Sequence, residues 1–301
     1  MHKIELLTRF LAENNIAAHK GVLLSGKTTF RIGGPADLFL EPKSEGEISK
    51  IFTFATGHEI PLLVLGNGSN VLFSDEGYRG AILHLGDGFG QIRQESETEI
   101  SCESGAKLSD LCEYAQEKGL SGLEFAYGIP GTVGGAVFMN AGAYDGEIKD
   151  VIRSARYLAA DGSVKEIGAD EMKLEYRRSA FMDMDTVITG AVFSLTPGNP
   201  QEIRAKMDDY MSRRRDKQPL EYPSAGSTFK RPVGNFASAL IDQCGLKGLR
   251  AGGAAVSEKH AGFVINTGGA KCGDVLSLIE KIKAIVKEKT GYELECEVKI
   301  I

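Results

Sequence analysis

A chain of 301 residues, 42% hydrophobic and 25% charged, is long enough for two or three globular domains and too balanced in composition for a disordered or fibrous protein. Its formal net charge of −6, with basic residues spread along the chain, lacks the basic face that neutralising phosphates requires, so no nucleic-acid partner is expected. The longest apolar runs are about six residues against the ~20 of a spanning helix, and Glu5 and Arg9 interrupt the stretch where a signal peptide needs an apolar core; the expectation is a cytoplasmic protein with no membrane partner.

Residues 4–16 place Ile4, Leu7, Phe10 and Leu11 on one stripe, which predicts an amphipathic helix packed on the first domain. Residues 27–32 read as a short strand entering a Gly33-Gly34-Pro35 turn, and 36–40 as the next strand. A helix over 45–55, with Ile48, Ile51 and Phe52 inward, leads to a buried-type strand at 62–65. That strand breaks at Gly66-Asn67-Gly68-Ser69-Asn70 and resumes as Val71-Leu72-Phe73. Strand, strand, helix, strand, turn, strand is the order of an α+β or split α/β unit. A second α/β half follows: a strand at 81–85, a Gly86-Asp87-Gly88 turn, a strand at 99–103, and a helix over 108–117 ended by Gly119.

Further on, segments 154–158 and 164–167 flank Asp161-Gly162, the strongest short hairpin signal in the chain. Residues 186–195 form a long apolar strand, and Pro197-Gly198-Asn199-Pro200 reads as a linker and a domain boundary. Beyond it, a helix over 202–215 is predicted to bury Ile203, Met207, Tyr210 and Met211. It ends in Arg213-Arg214-Arg215, cations that suit a helix C-terminus, with anion binding as the alternative. A loop over 218–232, stiffened by Pro219, Pro223 and Pro232, precedes a helix at 235–244, a strand at 263–266 and a helix over 272–289. Val275, Leu278, Ile279, Ile282 and Val286 face inward on that last helix. Residues 293–300 alternate as a strict period-2 strand. Cys102, Cys112, Cys244, Cys272 and Cys296 contain no C-x-x-C, and His2, His19, His58, His84 and His260 never fall at metal-ligand spacing; free thiols and no metal are expected.

The chain is organised around 126–144, A-Y-G-I-P-G-T-V-G-G-A-V-F-M-N-A-G-A-Y, with six glycines or prolines in nineteen positions and almost no charge. Gly128, Gly131, Gly134 and Gly135 leave the backbone bare, so a flat ring or a phosphate can approach main-chain N–H groups directly. The alternative is a tight turn running into a small-faced helix from Val133. The turn at 66–70, small and polar between two apolar runs, makes a nest for an anion. Neither is a strand, G-x-G-x-x-G, helix unit, which argues against a Rossmann domain.

These two sites, G-N-G-S-N-x-L and G-I-P-G-T-V-G-G-A-V-x-M-N-A-G-A-Y, resemble the flavin-binding halves of the UDP-N-acetylenolpyruvoylglucosamine reductases. The resemblance continues through Glu175-Tyr176-Arg177-Arg178-Ser179, Ser224-Ala225-Gly226-Ser227-x-Phe229-Lys230 and Glu297-Val298-Lys299, from about Thr28 to Ile301. It implies a mixed α+β and α/β fold. A two-part FAD-binding domain of the vanillyl-alcohol oxidase type would occupy 1–85 and 86–196, an α/β substrate-binding domain 197–290, and a C-terminal strand, 291–301, would return towards the active site. The gap between Arg177 and Ser227 is too short for the tyrosine-bearing insertion of one branch, so the chain resembles the shorter branch.

On that resemblance Gly66, Asn67, Gly68, Ser69 and Asn70 match the pyrophosphate turn. Gly128, Ile129, Pro130, Gly131, Thr132, Gly134, Gly135 and Ala136, with Asn140, Ala141 and Gly142, match the wall along the flavin. Arg177, Ser227 and Glu297 match the catalytic trio, while Tyr144, Lys217 and Arg231 are candidate substrate contacts. The implied reaction is peptidoglycan-pathway reduction of UDP-N-acetylglucosamine enolpyruvate by a monomer, with FAD as cofactor and NADPH as hydride donor; NADPH leaves before the enolpyruvyl ether enters. Pattern alone gives each of the trio another reading. Glu297 shares an outward strand face with Glu293, Glu295 and Lys299, Ser227 suits a turn or N-cap, and Arg177 lies in a charged segment. Arg231 stands where many relatives have Asn, and Cys296 where they have Pro. Another FAD oxidoreductase, acting on an alcohol or lactone, and a non-catalytic nucleotide-binding module are the competing readings.

Overall fold

The structure, a computed structural model, describes residues 3–301, which leaves His2 outside it. Helical spacing at the N-terminus produces α1 (Lys3–Glu13), which buries Leu7 and Leu11. α2 (Glu45–Gly57) starts where the Ser44 hydroxyl accepts from the Glu47 amide, and Glu45 and Glu47 sit in the first turn, where the helix dipole favours acids. Ile48, Ile51, Phe52 and Ala55 of α2 join Leu7 and Leu11 in one core. Leu38, Leu40, Ala81 and Leu83 of the first sheet complete it. That sheet has the order β1-β2-β5-β3, from β1 (Ala18–Leu23), β2 (Pro35–Leu40), β5 (Tyr78–His84) and β3 (Leu62–Leu65). β3 pairs parallel to β5 at the sheet edge, so its Val64 is exposed and the strand is not the fully buried one its apolar run predicts.

The second sheet is antiparallel, in the order β12-β11-β13-β7-β6, from β12 (Val164–Gly168), β11 (Ile152–Leu158), β13 (Val187–Ser194), β7 (Glu99–Glu103) and β6 (Ile92–Gln94). The Asp161-Gly162 signal gives the β11–β12 hairpin, with Gly162 at φ +78 and Leu158 opposite Val164. One core gathers Ile100, Cys102, Ala155, Ala191 and Phe193 of this sheet with α3 (Leu108–Glu117) and α4 (Val133–Met139).

The run 197–200 is a helix start rather than a boundary. Thr196–Pro197 (β14) pairs with Leu120–Ser121 (β8), the Asn199 side chain accepts from the Gln201 amide, and α5 (Pro200–Lys217) follows. Ile203 and Met207 of α5 pack in the same core as α3 and α4, whereas Tyr210 and Met211 are only half-buried. The division between compact units therefore falls between Arg213 and Arg214. Asp37–Asn67 and Gly80–Arg213, with the chain up to Lys20, form the first unit; Gly21–Ala36, Gly68–Arg79 and Arg214–Ile301 form the second.

The second unit holds an antiparallel sheet of order β15-β18-β17-β16, from β15 (Ser224–Ser227), β18 (Phe263–Asn266), β17 (Ala254–Val256) and β16 (Arg250–Ala251). α6 (Ala237–Gln243) and α7 (Cys272–Thr290) pack on it, α7 through the five apolar residues its spacing predicts. Phe30, Ile32 and Leu72 lie in this core as well. Residues 27–32 are irregular, not a strand: Arg31 takes φ +56, which lets Phe30 and Ile32 both turn inward, so tertiary burial overrides strand propensity. β4 (Val71–Leu72) pairs parallel with β19 (Lys299–Ile300). Of the alternating tail, Leu294 and Val298 are buried as predicted, but only β19 is a strand and Ile300 is half exposed. All five cysteines are free thiols, and among the described residues no helix is long and apolar enough to cross a membrane.

Candidate active site

The organising stretch folds as a turn followed by α4. Ile129 N–H donates to Ala126 O at 2.9 Å and Gly131 N–H to Ile129 O at 2.8 Å. Gly134 N–H donates to Ser104 O at 2.8 Å, and a Cβ on Gly134 would come within 2.8 Å of the Ser104 Cβ. Gly135 differs from its neighbour: it is exposed, and a Cβ there would meet only Thr132 Oγ1, at 3.6 Å. Gly134 thus serves close packing, and Gly135 presents bare backbone outward. The amides of Gly131, Val133 and Gly134 are bonded inside the unit, whereas those of Gly128, Thr132 and Gly135 have no acceptor among the described residues, so the wall combines flat surface with a few open donors. The first glycine turn reaches this wall through Asn67 Nδ2, which donates to Pro130 O at 2.8 Å, and Gly66 has no room for a Cβ because Thr132 Oγ1 fills the place.

The rest of that turn belongs to the second unit. Gly68, at φ +60, packs its Cα side against Lys27 O, and its own carbonyl accepts from the Thr29 amide. The amides of Gly68 and Ser69 have no acceptor among the described residues, which is the disposition of an anion nest.

α4 ends at Asn140, left-handed at φ +42 and 0% exposed. Its Nδ2 donates to Glu147 Oε2 at 2.8 Å and to Glu175 O at 3.0 Å, while Oδ1 accepts from the Lys149 amide at 3.0 Å. With no accessible surface, the Asn140 side chain spends its hydrogen bonds inside the unit. Ala141 N–H donates to Ala136 O, and Gly142 enters β9 (Gly142–Ala143), which pairs with β10 (Gly146–Glu147). The hairpin turns through Tyr144 and Asp145, both at positive φ. The Tyr144 ring stacks on Tyr210 at 4.5 Å, and its hydroxyl donates to Tyr210 O at 2.9 Å.

Arg177 occupies the left-handed position, φ +55, of a tight turn closed by two Glu175–Arg178 backbone hydrogen bonds of 3.1 Å. That conformation costs an L-residue roughly 1 kcal/mol, so the turn must be held by its surroundings. The guanidinium lies 5.0 Å from the Tyr176 ring and donates to Gly142 O at 3.4 Å; it is half-buried, not the surface charge its neighbours suggest. Burial alone would raise the Glu147 carboxyl, but hydrogen bonds from Lys149 and Asn140 and the charges of Lys149 and Arg177 outweigh it and hold the group below its usual range. Glu147 escaped the sequence reading. The Asp145-Gly146 hairpin signal, which places Glu147 opposite Gly142, would have found it.

In the second unit the structure brings Ser227 and Glu297 together. Ser227 is the exposed last residue of β15, opposite Phe263, after a register shift at Gly226 with φ +74; it is neither an N-cap nor a turn residue. Glu297 N–H donates to Thr228 O at 2.8 Å, Phe229 bridges Cys296, and Lys230 N–H donates to Glu295 O at 2.8 Å, so the tail ladders beside the serine segment. Asn70 Nδ2 donates to Glu297 O at 3.4 Å and Asn70 O accepts from Lys299 N–H at 3.0 Å. Glu297 is half-buried by these contacts rather than solvated as the alternation suggests. Lys217 is exposed at the end of α5, and the exposed Arg231 guanidinium lies 4.5 Å from the Phe236 ring.

Residues 36–168 match the FAD binding domain family, and residues 218–301 match the family described as UDP-N-acetylenolpyruvoylglucosamine reductase, C-terminal domain. The chain is 48% identical over 274 residues to the UDP-N-acetylenolpyruvoylglucosamine reductase of Syntrophomonas wolfei, covering 91% of each. It is 45% identical to the protein of that name from Clostridium perfringens, over 100% of this chain and 98% of that one. The crystal structure of UDP-N-acetylenolpyruvylglucosamine reductase (MurB) from Thermus caldophilus superposes with a TM-score of 0.81 at 34% identity, covering 95% of this chain and 98% of that one. Physcomitrella patens BBE-like 1, at 16% identity and a TM-score of 0.50 over 64% of this chain and 44% of that one, shares the fold alone. With identity of this order along nearly its whole length, the chain belongs to the UDP-N-acetylenolpyruvoylglucosamine reductase family.

Proposed function

We propose that this chain reduces the enolpyruvyl ether of UDP-N-acetylglucosamine to UDP-N-acetylmuramate, with NADPH as hydride donor, in the cytoplasmic stage of bacterial peptidoglycan synthesis, and so serves cell shape and division. The residues present fit FAD: a flat ring can approach the exposed backbone of Gly135, which carries no side chain of its own, and a phosphate finds unspent amides at Gly68 and Ser69. Bound FAD supplies the relay of a hydride from NADPH to the terminal enolpyruvyl carbon. The chain's own residues then manage the charge and the proton. Arg177, always cationic and able to fork onto a carboxylate, stabilises the negative charge that develops beside the substrate carboxylate. Ser227 delivers a proton from its hydroxyl to the adjacent carbon, a strongly basic acceptor that suits so weak an acid. Glu297, half-buried and bound through its backbone to the serine segment, orients this end of the site. Lys217 and Arg231 supply exposed cations for the diphosphate.

The observation that carries the reading is Ser227 itself, exposed on a shifted strand beside Glu297, with no hydrogen bond from its hydroxyl among the described residues. Ser227→Ala tests it by rapid mixing. Flavin reduction by NADPH should stay intact, while reoxidation by the enolpyruvyl substrate slows by the roughly 10²–10⁴-fold of a lost general acid, and Ser227→Cys recovers part of the loss. Reoxidation of Ser227→Ala at the wild-type rate would remove the serine from the mechanism and make Glu297 the next residue to test.

A further inference from the structure

The Arg177 turn is strained, and the groups that touch it identify what holds it. We propose that Asn140 and Glu147 form a positioning pair for Arg177, Asn140 spending its two amide protons on the Glu147 carboxylate and on the carbonyl that opens the Arg177 turn. The distances are 2.8 Å to Glu147 Oε2 and 3.0 Å to Glu175 O, and no other arrangement of the amide suits its surroundings, because Oδ1 faces the Lys149 N–H. Lys149 Nζ closes the cluster at 3.0 Å from Glu147 Oε2, and Asp150 Oδ2 accepts from the Glu147 amide at 2.8 Å. On the other side Arg177 Nη2 reaches Gly142 O, and Gly142 lies so close that a Cβ there would be 2.8 Å from Glu147 Cγ. A buried, fully satisfied amide thus ties the end of α4, the β9–β10 hairpin and the Arg177 turn into one rigid piece. The charge of Glu147 attracts that of Arg177, and the hydrogen bonds of Asn140 and Gly142 O hold the turn that carries the guanidinium. The inference rests on Arg177 being the cation proposed above.

The test uses the FAD-loaded enzyme and reads the two half-reactions separately. Asn140→Asp, which turns two donors into acceptors facing a carboxylate and a carbonyl, and Glu147→Gln, which keeps the shape and removes the charge, should each slow reoxidation by the enolpyruvyl substrate roughly 10- to 100-fold. Reduction by NADPH should be unchanged in both. In an Arg177→Ala background Glu147→Gln should add nothing, since the two act through one group. Carbon NMR gives a second readout: Arg177→Ala should raise the titration of the Glu147 carboxyl, whatever Arg177 does for the rate. Full additivity, an unchanged Glu147 titration, or normal reoxidation in Glu147→Gln beside slow reoxidation in Arg177→Ala would each overturn the pair. A raised titration with wild-type reoxidation in Arg177→Ala would instead overturn the catalytic role of Arg177 and leave its positioning in place. Should Asn140→Asp fail to fold, Glu147→Gln carries every comparison alone.

Discussion

At Gly134 and Gly135 a cost to folding and a cost to binding are separated by one peptide bond. Gly134→Ala pushes a methyl to 2.8 Å from the Ser104 Cβ, and overpacking of this kind costs typically ~1–3 kcal/mol, so its melting temperature should fall. Gly135→Val sets its Cβ in ordinary contact with Thr132 Oγ1 at 3.6 Å and should keep its melting temperature but lose FAD, measured as flavin retained through gel filtration; full retention would return the stretch to an ordinary turn. Ser104 itself is 1% exposed with a hydroxyl that finds no partner among the described residues, and an unsatisfied buried group costs ~1–3 kcal/mol. Ser104→Ala should therefore leave the urea midpoint unchanged or raise it, and a lower midpoint would show that the hydroxyl is bonded. The glycine spacing was readable as a cradle, but not which glycine faces outward, because a spacing carries no direction. The burial of Asn140 has no local signal for a related reason: its partners lie 7 and 35 residues away, and asparagine is ordinarily exposed.

Elements with strong periodicity formed where their sequences place them, as α3, α7, β7 and the Asp161-Gly162 hairpin show. β1 was missed because Ala18–Leu23 carries His19 and Lys20 and buries no side chain fully, which leaves no alternation to read. α5 was assigned to the wrong body because its apolar face does not say which core receives it. The structure shows what fastens it: Glu124, 3% exposed, accepts from Ser121 Oγ at 2.6 Å and the Gly122 amide at 3.1 Å, with Lys206 of α5 3.5 Å away. Burial would raise this carboxyl, but the Ser121 hydroxyl, backbone amides and the Lys206 charge prevail and hold it below the usual 4.5. A depressed folded value means the contribution is complete above the unfolded value and is lost as pH falls through the lower one. Glu124→Gln should lower stability at neutral pH by about 1–3 kcal/mol and flatten the acid loss that sets in as pH falls below the ordinary carboxylate value, followed as urea midpoints against pH. An acid limb as steep as wild type would exclude Glu124 as its source.

For the molecule as a whole, the second unit is drawn from three separate lengths of chain. No local pattern reveals this, which is why a boundary placed on Pro197-Gly198-Asn199-Pro200 looked sufficient. The 214–301 fragment alone lacks Phe30, Ile32 and Leu72, each worth ~1.5–3 kcal/mol when buried, and their sum rivals the 5–15 kcal/mol of a typical domain. It also lacks β4, the partner of β19. The fragment should therefore show poor dispersion in proton NMR and no cooperative melt; a cooperative transition would mean that the early segments are dispensable. The same three-part construction sets a timetable. Phe30 and Ile32 leave the ribosome early, whereas Val275, Ile279 and Ile282, residues of the same core, follow only after roughly 5–20 residues per second have been added for on the order of ten to fifty seconds. Until α7 is made, Phe30 and Ile32 lack the helix that completes their core, so a translational pause before α7 lengthens the time for which two large apolar side chains are incompletely covered.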